Sequence, residues 1–335
     1  MMNTKLLKDT TEDIAAAADI LAAGGLVAFP TETVYGLGAN ALDAEAVGKV
    51  YAAKGRPSDN PMIVHISSKD DLLALTPEVT ADMQILMEHF WPGPMTMIVP
   101  RLSLIPDTTT GGLDTVGIRM PDHPVALSLI SAAQCPVAAP SANLSGKPSP
   151  TTAKDVKEDL YGRVDAIIES TDCQVGIEST VIDMTGEQPM ILRPGIITRE
   201  DFEEALKKPV ALDPTLNQRP DTFNNEDFKP RAPGMKYKHY APKAQMTVFE
   251  GSSQTVQEVI CKETAKYRAE GKKVCVISFD EKDQKAAAHQ FFARLREADR
   301  EGADMILASA LPEEGIGFSV MNRMLKSAGY NIRKV

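Results

Sequence analysis

Residues 209–243 carry six prolines and no helical period, and this stretch limits what the chain can fold into more than any other. Proline removes a backbone donor and clashes inside a helix or central strand, so a run of them reads as a connection between folded parts. The chain has 335 residues, longer than a single hydrophobic core usually serves, which argues separately for two domains. The expected boundaries are 10–208 for a first domain, 209–243 for a linker and 244–335 for a second domain.

Both flanks alternate short apolar runs with amphipathic segments, the pattern of an α/β fold. In the first, Ile14, Ala17, Ala18 and Leu21 recur at helical spacing after Glu12 and Asp13, predicting a helix over 11–24. The run LVAF at 26–29 reads as a buried strand stopped by Pro30, and PTETVYGLGANA after it reads as a loop. Loops at strand ends often carry the chemistry in such folds, and Thr31, Thr33 and Tyr35 alternate here with Glu32 and Val34. A second helix capped by Asp43 should run to about Lys54. Further strands are expected at 61–67, 96–100, 116–120, 137–140 and in VDAIIES, STVIDM and MILRPG, with helices at 80–90, 124–134 and 198–208. In the second flank MTVFEG, VCVISF and ADMILASA alternate with helical segments at 254–269 and 283–300, which suggests a smaller parallel sheet. GIGFSVMNRMLKSAG reads as a glycine turn and a packing helix.

Composition excludes several classes. A net charge of −10 argues against coating nucleic acid by bulk electrostatics and leaves only a local basic pocket for that purpose. Cysteines 135, 173, 261 and 275 show no CxxC spacing, so zinc and a disulfide framework are not indicated and a reducing compartment fits. The first residues lack an apolar signal region and no apolar run approaches bilayer length, so a cytoplasmic location is expected. The GLG at 36–38 lacks the third glycine of a dinucleotide fingerprint, and Gly146-Lys147 lacks the upstream glycine of a P-loop.

Two pieces gather polar groups. Lys54-Gly55-Arg56 is cationic and Ser141-Ala142-Asn143 offers hydroxyl and amide. In extended backbone a spacing of two aims both side chains of a piece to one side. Together they suit a polyanion such as a nucleoside triphosphate, with Lys as a point charge and Arg as a planar fork, although either piece alone reads equally as a surface loop. His65 lies among apolar residues, where a satisfied core histidine is the commoner outcome. Arg119 reads as a snorkelling side chain or as a carboxylate or phosphate clamp. In the linker, Arg231, Lys236, Lys238, His239 and Lys243 lie among Tyr237 and Tyr240 without an acid. That composition suits base stacking and phosphate contact, or a plain solvated tether. If the loop lies over a cavity of the first domain, Tyr237 would contact a nucleotide there.

The arrangement PTETVYGLG, KGRPSDNP, GIRMPDHP, APSANLSGKPSPT and GIESTVID, in that order, resembles the YrdC-like domain over residues 11–200. PGMKYKHYAP and the tail module extend the resemblance to the long, two-domain form of the threonylcarbamoyl-AMP synthase family. The resemblance implies a twisted, mostly open α/β sheet around a cationic cavity, with a Rossmann-like C-terminal domain. It also implies an activity that converts L-threonine, bicarbonate and ATP to threonylcarbamoyladenylate and pyrophosphate, with Mg²⁺ carried on the ATP phosphates and no metal held by protein side chains. By resemblance Lys54, Arg56, Ser141 and Asn143 are catalytic. Arg56, Asn60, Thr115, Ser141, Ser149, Arg193 and Tyr237 would hold ATP; Thr33, His65, Arg119, the Ala139 backbone and Ser179 would hold threonine. The product would pass to a downstream tRNA threonylcarbamoyl transferase. Two other classes remain open on sequence alone: an RNA-binding module, which lacks any RRM, KH or double-stranded-RNA signature here, and a hydrogenase-maturation carbamoyl-transfer protein, which would carry cysteine pairs upstream.

Overall fold

The computed structural model describes residues 2–217, 230–235 and 239–335. These divide into two compact units, one of residues 1–145 with 149–236 and the other of 146–148 with 237–335.

The first unit opens with β1 (Lys5–Lys8), α1 (Thr11–Ala22), β2 (Val27–Phe29) and β3 (Gly36–Asn40). α2 (Ala44–Lys54), β4 (Ile63–His65), α3 (Ala81–Phe90) and β5 (Met95–Pro100) follow. The short α4 (Asp107–Thr110) leads to β6 (Thr115–Arg119), α5 (Pro124–Ala133) and β7 (Val137–Ala138). The unit closes with α6 (Ala153–Leu160), β8 (Ala166–Glu169), β9 (Thr180–Asp183), β10 (Met190–Arg193), α7 (Arg199–Leu206) and β11 (Ala211–Leu212). Among the described residues the strands join in the order β1-β8-β2-β3-β7-β4-β6-β5-β9-β10-β11. The sheet is mixed: β4 and β6 run parallel, while β7 and β5 lie antiparallel to them on either side.

Local chemistry sets the helix starts. Thr10, Asp43, Thr80, Thr152 and Thr198 each accept a backbone N–H of the first turn, closing donors the helix cannot pair itself. One core joins α1 and α5 to the strands through Ala17, Leu21, Phe29, Ala126, Leu129 and Val137. A separate cluster sets Ile63, Ile98, Val181 and Leu192 against Ala232 and Met235. Residues 230–235 therefore do not hang free. They dock on the sheet, and Arg231 pairs with Asp183 at 2.8 Å and Asp213 at 2.6 Å.

Besides the short α4, β11 and a last strand at Ile332–Lys334, which were not expected, three elements depart instructively from expectation. GLGAN, read as loop, is strand β3, and its glycines explain both the misreading and the strand. A Cβ on Gly38 would come within 2.8 Å of Phe29 and Val137, so the strand fits there only without side chains. KLLK forms the edge strand β1 beside β8, although four residues with a lysine at each end carry little strand signal. TTAKDVKEDL holds α6, whose apolar stripe is only Val156 and Leu160, too thin to register as a period.

The second unit contains β12 (Gln245–Glu250), α8 (Ser253–Ala269), β13 (Val274–Ile277), α9 (Gln284–Glu301) and β14 (Met305–Ser309). It ends with α10 (Gly315–Ser327) and β15 (Ile332–Lys334). Its sheet, ordered β13-β14-β12-β15, is parallel throughout, with Phe249, Leu307, Val256 and Ile260 packed in one core. α10 is a packing helix, burying Val320, Met321, Met324 and Arg323. Among the described residues no helix is long and apolar enough to cross a membrane.

Candidate active site

Helix α2 delivers the first cation. Its inner stripe runs Val47, Val50, Tyr51 and Lys54, so helical spacing places an ammonium on the same side as the core residues. Lys54 is 3% exposed. Its Nζ donates to the Ser141 carbonyl, to the Asn143 carbonyl at 2.5 Å and to Asn143 Oδ1 at 3.4 Å, and Ser141 Oγ donates to Asn143 Oδ1 at 2.5 Å. Ser141 itself is held by a bridge to Gly36. The two sequence pieces are thus one cluster.

The reason given for that pairing needs correction. Lys54 ends a helix, and Gly55 caps it in the left-handed region at φ 64°, so 54–56 is not an extended stretch aiming two cations to one side. Arg56 turns instead to the carbonyls of Asn60, at 3.3 Å, and Pro61, at 2.9 Å. Asn60 is 2% exposed and its Oδ1 has no hydrogen-bond partner among the described residues, which leaves a buried acceptor open to a ligand.

The second group lies further along the sheet. His65 and Arg119 are register partners on parallel strands, so their side chains rise from the same face. Burial first, and the Arg119 guanidinium second, hold His65 well below its ordinary value, at about 3, so its ring is neutral in neutral solution. Ser179, next to β9, shares a hydrogen bond of 2.8 Å with Thr96. Arg193 donates to the Ser179 carbonyl and hydroxyl, each at 3.1 Å. The backbone N–H of Ala139 is taken by Ile63 at 2.9 Å.

Thr115 and Arg119 lie at opposite ends of β6, roughly 13 Å apart by strand rise, and both odd positions face the same way. By strand register Asn60, Thr115 and the Lys54–Ser141–Asn143 cluster lie toward one end of these strands, with His65, Arg119, Ser179 and Arg193 toward the other. Arg193, expected among the nucleotide-holding residues, contacts Ser179, expected among the threonine-holding ones. Ser149 is fully buried and donates to Glu178 at 2.5 Å. Of the three alternating hydroxyls, Thr33 pairs with Thr31 at 2.8 Å, whereas the Tyr35 hydroxyl lies by Ser170. Tyr237 lies outside the described residues.

Glu32, which alternates with those hydroxyls in the sequence, was not among the residues expected at the site. The residue is 7% exposed and its Oε2 stands 2.6 Å from Arg119 Nη2. The available signal was a carboxylate inside a run of hydroxyl and apolar residues that had no solvent to face. Glu178, the partner of Ser149, was missed in the same way.

An opening also lies apart from these residues. In the second unit a cavity of about 790 Å³ borders the ends of β12, β13 and β14, lined by Ser253, Ile260, Arg268, Phe279 and Ser309 among others. None of the residues expected at the site lines it.

Comparison with known proteins gives a consistent picture. Residues 19–195 match the Sua5–YciO–YrdC family, described as "Telomere recombination", and residues 197–329 match the family described as "Threonylcarbamoyl-AMP synthase, C-terminal domain". The threonylcarbamoyl-AMP synthase of Pyrococcus abyssi is 46% identical over 332 residues, covering 96% of both chains. That of Bacillus subtilis is 43% identical, covering 97% of this chain and 96% of its own. Among solved structures, P. abyssi Sua5 complexed with L-threonine superposes with a TM-score of 0.92 at 44% identity, over 99% of each chain.

Proposed function

The chain belongs to the Sua5–YciO–YrdC family, in the form that carries the threonylcarbamoyl-AMP synthase C-terminal domain, and from that premise we propose how its residues make the product. It is a nucleotidyltransferase-type enzyme that forms threonylcarbamoyl-AMP and serves tRNA modification. These relatives favour that activity over an RNA-binding module or a hydrogenase-maturation role.

In the proposed reaction L-threonine is carboxylated by bicarbonate to a carbamate, whose oxygen attacks the α-phosphorus of ATP in line while pyrophosphate leaves. Such a reaction needs no enzyme nucleophile. It needs positioning and neutralisation of the charge that develops on the phosphates. Lys54 and Arg56 supply the cations, with Ser141 and Asn143 giving hydroxyl and amide contacts around the reacting centre. Asn60, Thr115, Ser149 and Arg193 hold ATP, Asn60 through the buried Oδ1 that lacks a protein partner. Arg119 clamps the threonine carboxylate; Thr33, His65, Ala139 and Ser179 complete that pocket. A neutral His65 acts as a hydrogen-bonding wall and does not repel Arg119.

Mg²⁺ is proposed to enter on the ATP phosphates. The hydroxyl and amide oxygens of Ser141 and Asn143, set beside an ammonium, fit a metal that keeps most of its waters and binds through substrate phosphates better than one caged by carboxylates. When bound it would neutralise phosphate charge. The downstream consumer is a transferase that moves the threonylcarbamoyl group to tRNA, and a cytoplasmic location suits both the substrates and four free thiols.

The observation that carries this reading is the full-length likeness to a relative described with L-threonine. Its test is pyrophosphate release from ATP with threonine and bicarbonate, each omitted in turn. Release that does not depend on threonine would overturn it.

A further inference from the structure

Glu32 and Arg119 form an ion pair that the protein leaves unfinished. Glu32 is 7% exposed and Arg119 4%, and their nearest atoms are 2.6 Å apart. Yet the contact lacks hydrogen-bond alignment. Both oxygens of Glu32, and Nε and Nη2 of Arg119, have no hydrogen-bond partner among the described residues. A buried pair is expensive unless its remaining donors and acceptors are met, and orphaned buried polar atoms in a native protein call for an explanation.

One kind of ligand answers both halves at once. The zwitterion of an α-amino acid brings a carboxylate, which can accept from the Nε and Nη2 edge of Arg119 in the bidentate manner. It also brings an ammonium, which can donate to the open oxygens of Glu32. The backbone makes this placement available: the loop between β2 and β3 is tied down where Val175 and Gly176 donate to the carbonyls of Glu32 and Thr33 at 2.8 and 3.1 Å.

The geometry points to Glu32 as the group that receives the substrate's α-ammonium and takes its proton as the nitrogen is carboxylated. This inference rests on the reading of Arg119 as the carboxylate clamp. The step balances: R–NH₃⁺, HCO₃⁻ and the Glu32 carboxylate give R–NH–COO⁻, water and the Glu32 carboxylic acid. The new bond joins nitrogen to the bicarbonate carbon; one bicarbonate oxygen leaves as water, and the remaining ammonium proton passes to Glu32. Neighbouring groups are poorer acceptors. Burial pushes the Cys173 thiol up, so it stays protonated, and burial with Arg119 keeps His65 only weakly basic.

Calorimetry on the full-length protein tests the assignment with two ligands, L-threonine and 2,3-dihydroxybutanoate, which keeps the carboxylate and side-chain hydroxyl but replaces the ammonium with a hydroxyl. The unaltered protein should bind threonine at least about 30-fold tighter, the scale of one charged hydrogen bond. Glu32→Gln, folded by its melting curve, should erase most of that preference and cut turnover at saturating threonine about 100-fold. Arg119→Gln should weaken both ligands. Equal affinity for the two ligands in the unaltered protein would overturn the proposal without recourse to any variant. So would a Glu32→Gln enzyme whose threonine affinity and turnover stay within about twofold of normal, against ordinary losses of ten-fold or more for a charged partner. Loss of the preference in Glu32→Gln beside an Arg119→Gln protein that binds dihydroxybutanoate normally would support the acceptor and overturn the clamp.

Discussion

The two units invite a comparison between buried charge and open space. In the first, charged and amide groups are shut away from solvent with their hydrogen bonding incomplete: Glu32, Arg119 and the Asn60 Oδ1 all await partners. In the second, a cavity of about 790 Å³ lies at the strand ends, where parallel α/β sheets commonly bind ligands. Part of its polar lining is paired internally, Ser253 with Glu281 at 2.8 Å and Ser309 with Ser278 at 2.9 Å, whereas Thr264 Oγ1 has no hydrogen-bond partner among the described residues. None of the residues expected in the reaction lines that cavity, so its volume alone does not locate the chemistry. A buried ion pair with unmet atoms on both partners is a more specific sign, because folding keeps such a pair only where something else compensates its desolvation.

The sharpest way to break the comparison is substrate choice. If the first unit reads threonine's hydroxyl through buried groups such as Thr33 and Ser179, valine leaves them unpaired and should react about 10⁴-fold less well than threonine by kcat/KM. Serine, which lacks only a methyl, should lose about 10- to 200-fold. Comparable rates with valine would mean that the buried hydroxyls are structural.

Next comes Lys54. Lys54→Ala should lower the rate of pyrophosphate release by about 2 to 4 kcal/mol of transition-state stabilisation, the usual loss for one preorganised charge stabiliser. A near-normal rate would take the cationic cluster out of the reaction. The same variant leaves the carbonyls of Ser141 and Asn143 without their donor, so a melting curve should accompany the assay.

Acid stability sharpens the comparison further. With its folded value near 3 against about 6.5 unfolded, His65 binds its proton more readily in the unfolded chain. Its contribution to stability is complete above about pH 6.5 and is lost progressively as pH falls toward 3. Denaturation of His65→Gln should show a shallower acid limb. Equal limbs for the unaltered protein and His65→Gln would contradict the burial argument.

The smallest effect is expected in the cavity. Arg268→Ala should leave kcat and KM for ATP and threonine within about twofold, as for a surface substitution away from the chemistry. A loss comparable with that of Lys54→Ala would mean that open space had been the right guide after all.

Much of the fold was legible because periodicity and capping speak locally. The inner stripe of α2, Asp43 before it and Gly55 after it can all be read in sequence, and the parallel second sheet announces itself through apolar runs between helices. β3 was not legible, since Gly36 and Gly38 look like loop residues until Phe29 and Val137 are seen to fill the space their side chains would need. In the candidate site, the meeting of Lys54 with Ser141 and Asn143 was foreseen by composition but for the wrong backbone reason. Glu32 escaped because alternation along a loop does not say which side is solvent; only the long-range contact with Arg119 does. Arg193 was visible as a strand-end cation, but its contact with Ser179 depends on the bulge between β9 and β10, which no local pattern encodes.

Arg231 has a consequence in protease chemistry. By sequence the Arg231–Ala232 bond is an ordinary site for a trypsin-like enzyme, and the side chain is 44% exposed. Such an enzyme must draw the arginine out straight and seat its guanidinium against an acid of its own pocket. Here both terminal nitrogens are already held, by Asp183 and Asp213, and the next residue, Ala232, is fully buried. The clamp makes this bond resist cutting in the folded protein and yield once Asp183 and Asp213 are replaced, so the rate of cleavage at one peptide bond reports whether the segment is docked.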